Sequence, residues 1–310
     1  MCSIRSSSLI PALVVATTIA LSASAKAQSQ KRLAELRDGK LQLPYLKNAD
    51  WVLGFAEARA KAAKTSKPIF AYFTRSDERC MNSISMECGA LAEDGFREFA
   101  NSVVPFCNIT TKVKTDADQE LFEAKGGVKY PHVVFMNAAG NVTYVVKGEK
   151  LSDFQKGLQE LGELEALRKR VDAGDRHAKY PFLKKQIELQ HLDFPAAKKA
   201  MNRLPRLSKA QKRELAPLLL RAEVHHIVSR AGKSQKARAK AGEKFFRMHK
   251  AGRVPIQDAL LPFWLHILDY AEMAKKAAIY EEALDTLKQE FPELPWKEQE
   301  RTLRELQSNG

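Results

Sequence analysis

Cys80, Cys88 and Cys107 carry most of the nucleophilic chemistry this chain offers, with a fourth cysteine, Cys2, near the start. Cys80 sits in Arg79-Cys80-Met81-Asn82-Ser83, after a polar turn and before helical spacing through Met86, Leu91, Phe96 and Phe99. At a helix N-terminus, exposed N–H groups and the dipole favour a thiolate. Arg75 and Arg79 act in the same direction, Glu78 opposes them, and the Ser83 hydroxyl is a candidate donor to the sulfur. Such a thiol would form or isomerise mixed disulfides, with an external thiol completing the cycle. The competing reading is an inert surface thiol. Cys88 lies eight residues on; if one helix holds both, they are ~12 Å apart, beyond the roughly 4.4–6.8 Å Cα separation of a disulfide. Cys107 falls in the Val103–Ile109 run and Cys88 on a helix expected to cover it, so both are expected in the core as small hydrophobes. A Cys88–Cys107 bridge is the alternative, and it would leave Cys80 as the single free thiol.

Other constellations are weaker. His225 and His226 are adjacent on a helical stretch, so they point ~100° apart and make a poor metal pair. His132 follows Pro131 and reads as a sheet residue. Asn108-Ile109-Thr110 and Asn141-Val142-Thr143 fit the glycosylation sequon but lie in or beside expected strands. There is no Gly-rich phosphate loop, serine-elbow motif or metalloprotease helix. No cofactor and no metal is expected.

The elements that must position Cys80 are legible by spacing. Residues 1–27 read as a secretory leader: Arg5, an uncharged Leu9–Leu21 stretch, then small residues around Ala25 and Ala27. Cleavage near Ala27 would make the protein exported, periplasmic or extracellular. It would also remove Cys2, Arg5 and Lys26, lowering the net charge from +14 to +12. Three cysteines would remain, an odd number outside the cytoplasm. No later stretch is long and apolar enough to span a bilayer. Residues 28–46 read as a polar, basic, mobile linker. Helical spacing follows over Trp51–Lys64, then a strand at Ile69–Phe73, a helix over Ser83–Ala100 and a strand at Val103–Ile109. A short helix spans Gln119–Ala124. Pro131 opens the strand HVVFM, a hairpin turn around Gly140 returns it through Val142–Val146, and a helix starts at Ser152.

The order of these pieces resembles the thioredoxin fold, in its exported form with a tryptophan near the first helix. The matching residues are Trp51, Lys67-Pro68 before IFAYF, Phe73–Asp77, Cys80 before a long helix, Val128-Lys129-Tyr130-Pro131 before HVVFM, and Gly140. The resemblance covers about a third of the chain and implies an α/β domain over residues 47–160, a mixed sheet flanked by helices. It also implies a C-x-x-C site, a cis Tyr130-Pro131 bond facing Cys80, and a groove shaped by Pro131. Counting back from the helix places Cys80 and Ser83 on the two cysteine positions; counting forward from Phe73 places Arg79 and Asn82 there. The backward count is preferred, because a turn accepts an insertion more readily than a helix. Either way the second thiol is absent, and a serine cannot resolve a mixed disulfide.

Beyond residue 160 strand signals vanish, and residues 161–310 read as an all-helical domain with breaks at Gly174, Pro205, Gly232, Gly252–Pro255, Ala277-Ala278 and Pro292–Pro295. Asp193–Ala197 and Ile279–Ala283 share an aromatic three residues before an alanine, the pattern of tetratricopeptide-like hairpins. Trp264 is expected in this core. Lys233–Arg253 is basic; its meaning is a solvated helix face or contact with an anionic surface. Nucleic acid is not expected as a partner, since no binding motif accompanies the charge. Two functions follow. One is thiol–disulfide exchange on exported proteins or peptides with cysteines, through Cys80, Ser83 and Pro131. The other is a non-catalytic binding module using the groove and the helical domain.

Overall fold

A computed structural model describes residues 29–204 and 206–308. The leader, Cys2 and the expected break at Pro205 lie outside the described residues. The chain divides into two compact units, with the break between Glu163 and Leu164.

In the first unit, four strands order as β2-β1-β3-β4: β1 Ile69–Arg75, β2 Val104–Thr110, β3 His132–Met136 and β4 Val142–Val145. β1 runs parallel to β2 and antiparallel to β3, and β3 is antiparallel to β4 with a register shift between Phe135 and Met136. β1 and β2 are buried on both faces, which is why their sequences are continuous apolar runs. One face, with Phe70, Tyr72, Cys107 and Phe135, packs Trp51, Phe96 and Phe154. The other, with Ala71, Phe73, Phe106 and Val134, packs Ala58, Ala62 and Phe122.

Two expected helices differ. The spacing from Trp51 predicts a helix, but helix α2 begins at Phe55 and ends at Thr65. Val52 is extended and bridges to Phe106, donating to the Pro105 carbonyl at 2.9 Å; this pairing overrides the local periodicity. Trp51 stacks on Phe96 at 5.4 Å. The single helix expected to Ala100 is two, α3 Met81–Cys88 and α4 Asp94–Ala100. They are parted at Gly89, whose N–H bonds the Ser85 carbonyl at 2.9 Å and where a Cβ would lie 2.9 Å from that oxygen. The stretch read as a linker is also structured. Residues 29–41 form helix α1, a 3-10 turn follows at Pro44–Lys47, and Tyr45 is buried. α5 covers Leu121–Ala124. The β3–β4 hairpin turns at Gly140, whose φ of +82° a side chain rarely adopts and where a Cβ would meet Phe55 at 2.6 Å.

Helix α6 covers Leu151–Asp172 and contains the break between the units. The second unit is helical: α7 Lys179–Glu188, α8 Phe194–Asn202, α9 Lys209–Ala231, α10 Gln235–Lys250, α11 Leu260–Met273, α12 Ala277–Glu290 and α13 Lys297–Ser308. Breaks fall at Gly174, Gly232 and Gly252, as expected from the sequence, and α12 starts at Ala277 where a break was expected. α9 passes through Pro217, and a further break at residues 189–193 precedes α8, whose opening at Asp193–Ala197 was read from the sequence. Ala197, Ala283 and Trp264 are buried. α10 and α11 approach so closely at Gly242 that a Cβ there would overlap the His266 carbonyl oxygen. No described helix is long and apolar enough to cross a membrane.

Candidate thiol site

Cys80 is the N-cap of α3, in extended conformation with φ −114° and ψ 109°. Strand β1 carries the chain to it, and the β1–β3 pairing sets the Tyr130–His132 segment beside it. The Cys80 thiol donates to the Tyr130 carbonyl at 3.5 Å, across 50 residues of sequence. The Tyr130-Pro131 bond is cis. The structure therefore brings Cys80 together with the Tyr130-Pro131 pair.

Ser83 does not join them as expected. It is 1% exposed, and its Oγ has no hydrogen-bond partner, so it donates nothing to the sulfur. The α3 backbone turns its side chain into the protein. Arg75 does not serve the thiol directly either. Its fork closes on Asp77 at 2.8 Å for both bonds, and it reaches Glu78 at 2.9 Å. Arg79 is exposed and in no ion pair among the described residues.

The other two cysteines separate. Cys107 is buried, 3.8 Å from the Tyr45 hydroxyl, and burial pushes its thiol up to about 12. Cys88 is exposed rather than core, because it closes α3 just before the Gly89 turn. All three thiols are free, so no bond joins Cys88 to Cys107. His132 opens β3, half-buried, with Nε2 3.2 Å from the Lys125 carbonyl; burial lowers its pKa.

Two charged clusters were not foreseen from the sequence. Asp77 binds Arg75 and also Lys112 at 2.7 Å. Burial alone would raise the Asp77 carboxyl, but the Arg75 and Lys112 hydrogen bonds outweigh it and hold it at about 2. Behind α3, Glu87 is 5% exposed and accepts from Lys40 at 2.6 and 2.7 Å, Tyr72 at 2.6 Å and Thr74 at 3.0 Å. Lys40 comes from α1, in the segment read as a linker. The only hint was an acid at an inward position of an apolar-spaced helix.

In the second unit, five of the eight basic residues in Lys233–Arg253 form ion pairs, with four carboxylates between them. Arg238 pairs with Asp269, Lys244 and Arg253 with Glu223, Arg247 with Glu243 and Lys250 with Glu282. Lys233, Lys236 and Lys240 have no ion pair among the described residues. His225 pairs with Asp258 at 3.2 Å. A cavity of about 400 Å³ opens between α8, α9 and the turn after α10, floored by Phe194, Met201, Leu219 and Leu220.

The first unit is thus a mixed four-stranded sheet with flanking helices, an arrangement compatible with a thioredoxin-like fold, and the second is helical. No family model matches the chain, and no curated protein does. A solved structure titled "DsbH Oxidoreductase" is similar at 26% identity, covering 34% of this chain and 79% of that chain, with a TM-score of 0.30.

Proposed function

We propose that the protein is an exported, thioredoxin-like thiol–disulfide exchange protein acting through the single nucleophile Cys80. The observation that carries this reading is the Cys80 thiol docked on the carbonyl that precedes the cis Pro131. The Cys80 thiolate attacks one sulfur of a partner disulfide. A new S–S bond forms, the old one breaks, and the displaced partner sulfur leaves as thiolate. Among the described residues, no second thiol lies within reach. Cys88 stands at the far end of α3, ~12 Å along the axis, and Cys107 is buried. A small external thiolate therefore attacks the partner sulfur of the mixed disulfide: a new S–S bond joins that thiol to the partner, the bond to Cys80 breaks, and Cys80 leaves as thiolate. Pro131 shapes the groove for an extended peptide of an exported, cysteine-containing protein, and Ser83, buried in the first turn of α3, leaves the thiol to act without a hydroxyl donor.

The missing resolving thiol gives the test. Incubated with a cystine-bridged peptide, the protein should accumulate a mixed disulfide that reducing agent releases and that Cys80→Ala abolishes. Adduct formation at Cys88 alone, unaffected by Cys80→Ala, would overturn the reading. The cavity of about 400 Å³ favours a second reading, in which a tetratricopeptide-like helical unit binds a partner without chemistry. In that case peptide binding survives Cys80→Ala and no adduct forms.

A further inference from the structure

The thiol–disulfide reading leaves one buried carboxylate near the sulfur without a role. Asp77 lies three residues before Cys80, in the loop from β1 to α3, with its side chain 2% exposed. It receives the Arg75 Nε and Nη2 groups at 2.8 Å each and Lys112 Nζ at 2.7 Å. A two-point grip of this kind fixes the plane of the guanidinium as well as its position. The Arg75 Cζ sits 5.4 Å from the centroid of the Tyr130 ring, within reach of its quadrupole. That ring stacks on Phe122 at 4.0 Å, and its hydroxyl donates to Thr110 Oγ1 at 2.8 Å. The Tyr130 side chain is thus held by Arg75, Phe122 and Thr110, while its backbone carbonyl holds Cys80 Sγ.

We propose that Arg75, clamped by Asp77, is a positioning residue for Cys80. It fixes the Tyr130 ring, and through it both the carbonyl on which the sulfur docks and the backbone along which an incoming peptide aligns. This inference rests on the exchange reading of Cys80. Without Arg75 the sulfur loses its fixed acceptor and is freer toward a small reagent. A peptide that must align on the Tyr130-Pro131 backbone meets a disordered edge and reacts more slowly.

The full-length protein, Arg75→Leu and Arg75→Lys are compared in two reactions. One is alkylation by N-ethylmaleimide, read as the rate at Cys80 relative to exposed Cys88 in the same molecule. The other is mixed-disulfide formation with a cystine-bridged peptide. Buried Cys107 must stay unmodified, which certifies an intact core. Arg75→Leu is expected to raise the alkylation ratio about fivefold, the worth of one hydrogen bond, and to lower the peptide rate about tenfold. Arg75→Lys keeps the charge but not the fork, and is expected to move both rates the same way by less. General loosening would raise both rates together, so any pattern without the opposite signs overturns the proposal. If the wild-type protein forms no peptide disulfide, the exchange reading fails, and the alkylation ratio alone decides the positioning role. If Arg75→Leu exposes Cys107, Arg75→Lys decides by the same criteria.

Discussion

The Asp77 carboxyl lies between two cations, and burial opposes their pull. Its pKa is held at about 2, against about 3.9 in an unfolded chain. A group depressed in the folded state contributes stability above the unfolded value, and that contribution is lost as pH falls through the folded value. The wild-type protein should therefore lose stability between pH ~4 and ~2, and Asp77→Asn should flatten this part of the profile while lowering stability near neutrality. Chemical denaturation at several pH values checks it; an unchanged acid limb would mean the ion pairs with Arg75 and Lys112 do not persist in solution. At this scale the sequence is a partial guide. Cys80 at the start of a helix was legible from the spacing that follows it. Its acceptor was not, because a backbone carbonyl 50 residues away carries no residue-type signal. Only the ordered resemblance of Val128–Pro131 to a known pattern suggested that meeting. Ser83 misleads for the opposite reason. A hydroxyl three residues from a thiol suggests a bond, and the helix turns it inward instead.

Among elements, α1 and α3 are joined by one buried ion pair. Lys40 is the α1 contribution, and Glu87 lies one residue before the end of the helix that Cys80 begins. Removing one partner of a buried pair leaves an uncompensated charge and costs about 3–5 kcal/mol. Lys40→Met is expected to destabilise the first unit by about 3 kcal/mol, and the double replacement with Glu87→Gln, which removes the charge but keeps an acceptor for Tyr72 and Thr74, to recover part of that loss. Equilibrium urea unfolding separates the outcomes; a Lys40→Met protein as stable as wild type would show that α1 is dispensable. The strands were readable because burial on both faces leaves unbroken apolar runs such as IFAYF. The division of α3 from α4 was not readable. Met86, Leu91, Phe96 and Phe99 all enter one core on either side of Gly89, so the apolar spacing continues where the backbone does not. The 28–46 segment looked mobile because its polar composition hides two anchors, Lys40 and Tyr45.

For the whole molecule, the two units have separate cores that share no residue. In the second, Gly242 lets α10 meet α11, and Gly242→Ala is expected to cost about 3 kcal/mol through forced backbone separation. Combined with Lys40→Met, the two losses should add within about 0.5 kcal/mol; a larger deviation in double-variant unfolding would reveal coupling between the units. The unequal character of the two halves was legible from the disappearance of strand signals. The ion pairs made by the basic stretch were not, because the partners Glu223, Asp269 and Glu282 lie on other helices. The outermost strands carry a final consequence. β2 lies at one border of the sheet, yet Val52 bonds to its backbone and Pro105 offers no N–H there. β4, at the other border, is four residues long and joined through a register shift. Neither border presents a long, regular ladder to another chain, so concentrated solutions should resist edge-to-edge aggregation.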